Sequence, residues 1–365
     1  MHPGEPDGAS GPGPSAGIWR AVDASANRAS EALRVIEDVV RFTLDDVVLT
    51  ALAKDLRHGL AAVLARPELA DRGAARDVAG DVGQGLDAAA SLPRTGIADL
   101  VAANAARGTQ AVRSLEECAA VVAPEASSSF ERIRYRLYDL ERRVMAILRA
   151  RDRLAGVALC VLVDGRDDVA VFERLVEGLF GAGVRMLQIR DKDLPIAFIT
   201  DRMQRAVAIS RRHDPARPPL VVVNDRPDIA VAVGADGVHV GADDLPVPLV
   251  RRVLGPGSVI GSTAHSIAEA RTAAAAGADY LGIGPCFPSA TKSFAEHAPP
   301  EFLRTVCREL AVPSFAIGGV TLERLDTLAA LGVTRVAVAS AVTRAADPLR
   351  VARTLLGRLE SLHRP

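Results

Sequence analysis

Polar side chains stand at the ends of successive apolar runs in the second half of the chain. Gln188, Arg190 and Lys192 follow one run, and Asn224 and Asp225 follow the next. Later runs end in Asp243, Asp244, Thr263, His265, Ser289, Thr291, Lys292, Gly318, Gly319 and Ser340. If the runs are parallel strands of a barrel, their carboxyl ends open on one face, where barrel active sites are built. The spacing therefore predicts one polar site assembled from many strands.

The residue types in this set suit a site that handles phosphates. Carboxylates such as Asp225 and Asp244, together with substrate phosphate oxygens, make the oxygen-rich surroundings that Mg²⁺ prefers. Arg190, Lys192 and Lys292 would balance the remaining phosphate charge. Backbone N–H groups at a glycine pair near the last strands are a common monophosphate site in barrels. Two phosphate sites in one mouth predict two phosphorylated substrates.

Each of these residues also has an ordinary structural interpretation. A single Lys or Arg at a strand end is usually a solvated rim charge, and Asp225 or the Asp243–Asp244 pair could cap a following helix. His239 and His265 lie in apolar runs. This position is more typical of a hydrogen-bonded core histidine, or of one that supports a neighbouring site residue, than of a catalytic base. The convergence of suitable groups at most strand ends favours the site.

Eight β-rich runs separated by helical stretches indicate the fold class. The runs cover 157–164, 185–191, 219–225, 237–240, 259–265, 280–285, 313–319 and 335–342. This count over about 205 residues predicts an α/β fold, a (β/α)₈ TIM barrel over 156–365. An open doubly wound sheet is the competing architecture, but the turn after the first run lacks the GxGxxG pattern of dinucleotide-binding sheets.

The preceding part of the chain has helical periodicity. Apolar residues recur at helical spacing over 29–40, and the same phase returns 79 positions later over 108–119, with Arg28 matched by Arg107. We interpret this as a weak internal repeat of one helix. The pattern predicts a mainly α-helical domain over 18–150, preceded by a Gly/Pro/Ser-rich disordered leader over 1–17 that has no signal-peptide core.

Charge and cysteine usage narrow the class of protein. The formal net charge of −1 offers no basic excess for nucleic acid. The 4 cysteines lie far apart without a CxxC pair, which fits reduced thiols in the cytoplasm. No apolar run approaches the roughly 20 residues that span a bilayer. We therefore expect a cytoplasmic protein whose partners are small-molecule substrates and not nucleic acid or a membrane. It is possible for such a protein to form a homo-oligomer, and the sequence does not decide this.

The ordered motifs of the second half resemble those of thiamine-phosphate synthase. From residue 188 onward they read QIRDKD, VNDR, DGVHVGADD, GSTAH, GPCFPSATK, AIGGV and VASAV. The resemblance implies condensation of hydroxymethylpyrimidine diphosphate with thiazole phosphate, which releases pyrophosphate and uses one Mg²⁺ per barrel. It also implies a dissociative step, in which the thiazole nitrogen captures a pyrimidine methyl cation.

The same resemblance implies roles for particular residues. Asp225 and Asp244 would hold Mg²⁺. The implied catalytic residues are Arg190, Lys192, Thr263 and Lys292. The implied substrate-binding residues are Gln188, Ile189, Arg190, Asp191, Lys192, Asn224, Thr263, Ser289, Ala290, Thr291, Lys292, Gly319, Ala339 and Ser340. Thr263 stands where the family usually has Ser and Ser289 where Thr is common, so both positions keep a hydroxyl, whereas Ala242 replaces a longer polar residue.

The first half resembles an alternative hydroxymethylpyrimidine-phosphate kinase family that is found fused to such synthases. The motifs include DASANRASEALRVIEDVVRF, KDLRH, RDVAGDVG, AANAAR and RYRLYDLE, with Ser25 where Asn is expected. The resemblance implies that the helical domain uses ATP. No Walker A or protein-kinase glycine loop occurs in the sequence, so the kinase activity rests on the resemblance alone.

Two alternatives stay open at this point. The helical domain could be a non-catalytic scaffold or dimerisation module, which the sequence does not decide. The barrel could be a thiazole tautomerase, which resembles the synthase but lacks its pyrophosphate and metal residues. The presence of Arg190, Lys192, Lys292, Asp225 and Asp244 argues against a tautomerase.

Overall fold

The computed structural model describes residues 14–75, 93–166, 168–191, 194–288 and 297–362. The chain forms two compact units, the first ending at Met145 and the second beginning at Ala146. Among the described residues, none of the helices is both long and apolar enough to cross a membrane.

All the regular secondary structure among the described residues of the first unit is helical. Its helices are α1 (Pro14–Asp38), α2 (Val47–Leu64), α3 (Asp71–Ala74), α4 (Ile97–Val122) and α5 (Pro124–Arg153), with a π-helical turn at Val39–Thr43 and a 3₁₀ turn at Pro67–Leu69. The last residues of α5 belong to the second unit. Because α1 begins at Pro14, the predicted leader over 1–17 overlaps the first turn of this helix.

The two copies of the predicted repeat are α1 and α4, which pack together in antiparallel directions. Ser25 bonds to Ser114, whereas Ala32 lies beside Gly108, so residue numbers rise along one helix as they fall along the other. A Cβ atom on Gly108 would lie 3.2 Å from the Cβ of Ala32 and 3.1 Å from Leu137. The missing side chain therefore lets the two helices approach closely.

The second unit is a closed parallel barrel with the strands in chain order, as the sequence predicts. Its strands are β1 (Leu159–Val163), β2 (Met186–Ile189), β3 (Leu220–Asn224), β4 (Gly237–Val240), β5 (Val259–Ala264), β6 (Tyr280–Ile283), β7 (Ser314–Ile317) and β8 (Val336–Val338). β1 pairs with β8, with Cys160 opposite Ala337, which closes the sheet. The α/β TIM-barrel prediction is confirmed.

Helices alternate with the strands in the manner of a βα barrel. They are α6 (Val169–Gly181), α7 (Ile196–His213), α8 (Pro227–Val233), α9 (Val247–Leu254), α10 (Ile267–Ala276), α11 (Pro300–Glu309), α12 (Leu325–Ala329), α13 (Ser340–Thr343) and α14 (Pro348–Leu362), with a 3₁₀ turn at Leu322–Arg324. Because helices cover the outside of the sheet and side chains fill the inside, the strands are apolar on both faces over most of their length.

The eighth strand is shorter than predicted. The apolar run over 335–342 suggests one long strand, but β8 stops at Val338. Ala339 leaves extended geometry with φ −118° and ψ −97°, and its carbonyl accepts the N–H of Thr343 at 3.0 Å, so that Ser340 begins α13. Ala339 and Ser340 therefore lie just after the strand, at the same face as the other strand ends.

A Gly-Ala-Asp triplet precedes both β4 and β6 and explains how the chain re-enters the sheet. Gly277 ends α10 with a φ of 94°, a left-handed conformation that glycine adopts without strain. Asp279 then accepts the N–H of Ile260 at 2.7 Å, and Asp236 of the first triplet accepts the N–H of Val221 at 2.8 Å. Each carboxylate ties the beginning of its strand to the neighbouring strand.

The interior of the barrel is apolar at its N-terminal end and polar at its C-terminal end. The buried apolar cluster comprises Leu154, Val157, Cys160, Met186, Leu220, Val222, Val259, Tyr280, Phe315 and Ala337. Two residues beyond Met186, Val222 and Gly237, and four beyond Val259, the inward-facing residues are Gln188, Asn224, His239 and Thr263. The change from apolar to polar filling marks the floor of the candidate site.

Candidate active site

A cavity of about 720 Å³ opens where the strands of the barrel end. Its wall contains 9 of the residues to which the resemblance assigns a role: Gln188, Arg190, Asn224, Asp225, Asp244, Thr263, Gly319, Ala339 and Ser340. Asp243, His265 and Gly318 from the wider set of strand-end residues also line it. The strand-end pattern read from the sequence thus corresponds to one three-dimensional site.

Lys192, Ser289, Ala290, Thr291 and Lys292 lie outside the described residues.

Ile189 and Asp191 are described but are not part of the cavity wall. Strand alternation turns Ile189 away from the interior, and this side chain is buried on the outer face of the sheet. Asp191 uses one carboxylate oxygen for the N–H of Gly165 and the other for the N–H of Leu194, both at 3.0 Å. It therefore holds two loops beside the site.

The two predicted metal ligands are held by backbone contacts at the ends of β3 and β4. Asp225 has a φ of 61°, a left-handed conformation that Asp tolerates better than most residues, and its N–H donates to the carbonyl of His239 at 2.8 Å. One carboxylate oxygen of Asp244 accepts the N–H of Gly241 at 2.7 Å.

Neither carboxylate caps the helix that follows it. The residues that precede α8 and α9 in the cap position are Arg226 and Pro246, and neither helix has a side-chain cap. The helix-cap interpretation of Asp225 and Asp244 is therefore wrong, and their position in the cavity wall needs another explanation.

The donor set of Asp225 and Asp244 fits Mg²⁺. Both supply hard carboxylate oxygens to the same cavity, beside the amide of Asn224. Within the described ranges, no cluster of three or more His, Cys, Asp or Glu side chains is arranged to hold a metal ion. Two carboxylates would fill only part of the coordination sphere of Mg²⁺. Substrate phosphate oxygens and water would fill the remaining coordination positions, as is common for this ion.

A chain of three side chains crosses the floor of the cavity. His239 lies between Tyr280 and Thr263, with 3.1 Å from Nδ1 to the Tyr280 hydroxyl and 2.9 Å from Nε2 to the Thr263 hydroxyl. A Cβ atom on Gly261 would overlap both the Tyr280 ring and the His239 imidazole. The glycine therefore provides the space in which the two rings meet.

The surroundings of Tyr280 determine the direction of these hydrogen bonds. Burial raises the pKa of Tyr280 well above 10, so its hydroxyl keeps its proton. Among the described residues, His239 is the one hydrogen-bond partner of this hydroxyl, so Tyr280 donates to Nδ1. A neutral imidazole then carries its proton on Nε2 and donates to Thr263. The Thr263 hydroxyl hydrogen is left free to donate into the cavity.

The charge state of His239 is set by its position at the cavity floor. Burial lowers the pKa of His239 to about 4, and Arg190 lowers it as well, whereas Asp244 acts in the opposite direction. His239 is consequently neutral at neutral pH. This agrees with the interpretation of His239 as a supporting histidine, and it makes His239 a poor candidate for a general base.

The glycine pair after β7 is built into a tight loop. Gly318 and Gly319 have φ values of 94° and 62°, a left-handed conformation that disfavours other residues. A Cβ atom on Gly318 would lie 2.7 Å from the Cβ of Pro285, so the loops after β6 and β7 pack in direct contact. This contact brings the glycine pair to the edge of the cavity.

Two contributors to the site were not identified from the sequence. Arg324 lines the cavity, places its guanidinium 4.7 Å from the Phe287 ring and donates to the carbonyl of Gly319. It lies past the end of β7, where no strand-end pattern marks it. The Tyr280 hydroxyl was missed because Tyr280 begins a strand and reads as an ordinary apolar core residue.

Comparison with known proteins places the two units in two families. Residues 159–342 match the family model described as thiamine monophosphate synthase, and residues 20–143 match that of the ThiD2 family. The first match spans the strands and the cavity of the barrel, and the second spans most of the described helical unit.

Curated relatives match the chain across both units. A thiamine-phosphate synthase of Rhodopirellula baltica is 39% identical over 334 residues, which cover 89% of this chain and 88% of the relative. One from a Synechococcus species is 39% identical over 349 residues, which cover 94% of this chain and 96% of the relative. The structure of a thiamine phosphate pyrophosphorylase from Pyrococcus furiosus is 30% identical with a TM-score of 0.51, and it covers 60% of this chain and 100% of its own.

The similarity to the two curated relatives therefore extends over both units. Strand order, the strand-end residues and similarity over nearly the whole length agree with one another. The chain belongs to the thiamine-phosphate synthase family.

Proposed function

We propose that the barrel is a transferase that joins hydroxymethylpyrimidine diphosphate to thiazole phosphate, forming thiamine phosphate and pyrophosphate. One observation carries the proposal: Arg190, Asn224, Asp225, Asp244 and Thr263 line a single cavity at the strand ends. This set supplies cationic, amide, carboxylate and hydroxyl groups, which a diphosphate substrate requires.

The pyrimidine diphosphate is bound on the β2–β5 side of the cavity. Gln188 and Asn224 face the interior from neighbouring strands and contact the substrate through their amides. Arg190 pairs with the diphosphate. Asp225 and Asp244 would hold Mg²⁺, which would supply positive charge beside the leaving pyrophosphate.

The Thr263 hydroxyl oxygen accepts a hydrogen bond from Nε2 of His239. Its own hydrogen is therefore available, and Thr263 donates it to the leaving group. His239 is thus a positioning residue. A dissociative reaction needs stabilisation of leaving-group charge more than proton abstraction, which agrees with a neutral His239 and with a floor that offers donors.

The thiazole phosphate is bound on the β7–β8 side. Gly319, Ala339 and Ser340 line this part of the cavity, where backbone groups can approach a phosphate closely because Gly319 has no side chain. Ser340 adds a hydroxyl. The two substrates therefore enter one mouth with their phosphates on opposite sides.

Replacement of Asp244 tests the barrel proposal. Asp244→Ala should lower synthase turnover by orders of magnitude while far-UV circular dichroism stays unchanged, because the side chain faces the cavity. Asp326→Ala is the matched control, since this carboxylate is 62% exposed and pairs with Arg358 at the surface. Near-normal turnover of Asp244→Ala would disprove the assignment.

The same assay separates the synthase from a tautomerase. Arg190, Asp225 and Asp244 in the cavity wall support the synthase, because a tautomerase needs neither pyrophosphate cations nor metal ligands. Purified chain given pyrimidine diphosphate, thiazole phosphate and Mg²⁺ should release one pyrophosphate per thiamine phosphate. Isomerisation of the thiazole without release of pyrophosphate would support the tautomerase.

For the helical unit, we propose that it phosphorylates hydroxymethylpyrimidine monophosphate with ATP. The match of residues 20–143 to the ThiD2 family supports this. The full chain should make thiamine phosphate from the monophosphate, thiazole phosphate, ATP and Mg²⁺ in one mixture. A chain that is active with the diphosphate but inert with monophosphate and ATP would instead support a scaffold or dimerisation module.

A further inference from the structure

A second cavity lies in the helical unit, on the surface where α1 and α4 cross. Its volume is about 510 Å³, and its wall is polar apart from one alanine. The lining residues that matter here are Ser25, Arg28, Glu31, Arg107, Gln110 and Ser114.

The two arginines of this cavity differ from most others in the unit. Arg57 donates to Glu37 at 2.6 Å and Arg134 to Glu116 at 2.9 Å. Within the described part of the chain, Arg28 and Arg107 have neither a carboxylate partner nor a hydrogen-bond acceptor, although they line the same cavity. Glu31 is the one carboxylate in the described wall and pairs with neither of them, so two exposed guanidinium groups line one cavity without an ion pair.

The internal repeat explains why the charges meet. Arg28 and Arg107 occupy equivalent positions of the two repeated helices, and so do Glu31 and Gln110. Antiparallel packing brings all four to one cavity. Because the second copy has an amide in place of the carboxylate, the four side chains carry a net positive charge.

Neutral donors complete the wall. Ser25 is buried and donates to the hydroxyl of Ser114 at 3.1 Å, which leaves the Ser114 hydrogen available to the cavity. The Gln110 amide can donate as well. Guanidinium groups combined with neutral N–H and O–H donors are suited to phosphate oxygens, which accept several hydrogen bonds and carry negative charge.

We propose that the α1–α4 cavity binds the phosphate group of a small phosphorylated molecule, with Arg28 and Arg107 as its two cationic ligands. Such binding requires no phosphoryl transfer, so the proposal stands apart from the kinase activity proposed for this unit. In either case the phosphate balances the net positive charge that Arg28 and Arg107 leave beside Glu31.

Hydrogen–deuterium exchange of the full chain tests this proposal. Inorganic phosphate, titrated against chloride at constant ionic strength, should slow exchange in the segments 25–35 and 104–114. In the double variant Arg28→Gln/Arg107→Gln, we expect the apparent affinity at these segments to weaken by at least about tenfold. Peptides from the barrel cavity act as an internal reference and should respond equally in both proteins.

Arg34→Gln is the matched control. Arg34 lies on the same helix, is also exposed, and does not line the cavity. This variant should keep the wild-type response to phosphate. Parallel titrations with the pyrimidine monophosphate and with ATP then show which phosphate source is preferred, by the concentration at which each slows exchange.

Two results would overturn the proposal: no phosphate-dependent slowing at 25–35 and 104–114 in the wild type, or equal slowing in the folded double variant. Phosphate binding without any kinase turnover would leave the site in place and remove only the kinase. Kinase turnover that survives the double substitution, with no change in exchange, would leave the kinase and remove the site.

Discussion

His239 makes the stability of the barrel depend on pH in a direction that follows from its surroundings. The imidazole lies at the cavity floor between Tyr280 and Thr263, and burial together with Arg190 lowers its pKa to about 4. In the unfolded chain a histidine has a pKa of about 6.5. Between these two values the unfolded state binds a proton that the folded state does not.

The sign and size of the effect follow from this difference. The stabilisation is complete above about pH 6.5 and is lost as the pH falls towards about pH 4, because protonation then favours the unfolded chain. At about 1.4 kcal/mol for each pKa unit, the full difference corresponds to about 3 kcal/mol. Part of the ring faces the open cavity, where water offsets some of the burial, so we expect about 2 kcal/mol.

Urea unfolding followed by far-UV circular dichroism measures this contribution. The free energy of unfolding of the barrel transition is determined for wild type and His239→Gln from about pH 7 to about pH 4.5. Glutamine keeps hydrogen-bonding groups but does not titrate in this range. The wild type should lose about 2 kcal/mol more than the variant over this interval.

His213→Gln is the control, because this histidine is exposed at the end of α7 in the same unit. It should follow the wild-type curve. Parallel curves for wild type and His239→Gln would refute the reasoning, since they would mean that the cavity floor accepts a proton as readily as the unfolded chain does.

Three further outcomes are expected. Gly261→Ala should lower the free energy of urea unfolding of the barrel by about 3 kcal/mol and also lower turnover, because the added methyl displaces the rings of Tyr280 and His239 beneath Thr263. Its control is Gly357→Ala on α14, where an added Cβ would have no described atom within 4 Å. This control should raise the free energy of unfolding by about 0.5–1 kcal/mol. Lys292→Ala should lower kcat more than it raises the KM for thiazole phosphate, and a change confined to that KM would assign this lysine to the other phosphate. A fragment from Ala146 to the C-terminus, the second compact unit, should fold and make thiamine phosphate from the pyrimidine diphosphate, and an unfolded fragment would contradict the separation of the two units.

Much of the barrel could be read from the sequence because its signals are local. Short apolar runs, helices that end in glycine and polar residues directly after each strand are visible within a few positions of one another. Once the runs are assigned to a βα barrel, parallel strands in chain order bring their carboxyl ends to one face. The positions of Asn224, Asp225 and Asp244 in a single cavity follow from this topology.

Local pattern was less informative where geometry decides which way a side chain faces. Asp191 belongs to a motif of strand-end residues, yet backbone N–H groups of two loops bind its carboxylate outside the cavity wall. Ala339 and Ser340 continue an apolar run, yet the chain turns after Val338 and leaves the strand. Both outcomes depend on the path of the backbone between elements, which residue type does not specify.

The sequence by itself determined the barrel, the repeated helix and the set of polar residues at the strand ends, because periodicity and residue type are properties of short segments. Only the tertiary structure decided that His239 joins Thr263 to Tyr280 and that Arg28 shares a cavity with Arg107. The partners in these contacts come from different strands or helices. Their meeting depends on strand register, on the close approach that glycine permits and on antiparallel packing, all of which arise when distant segments are brought together.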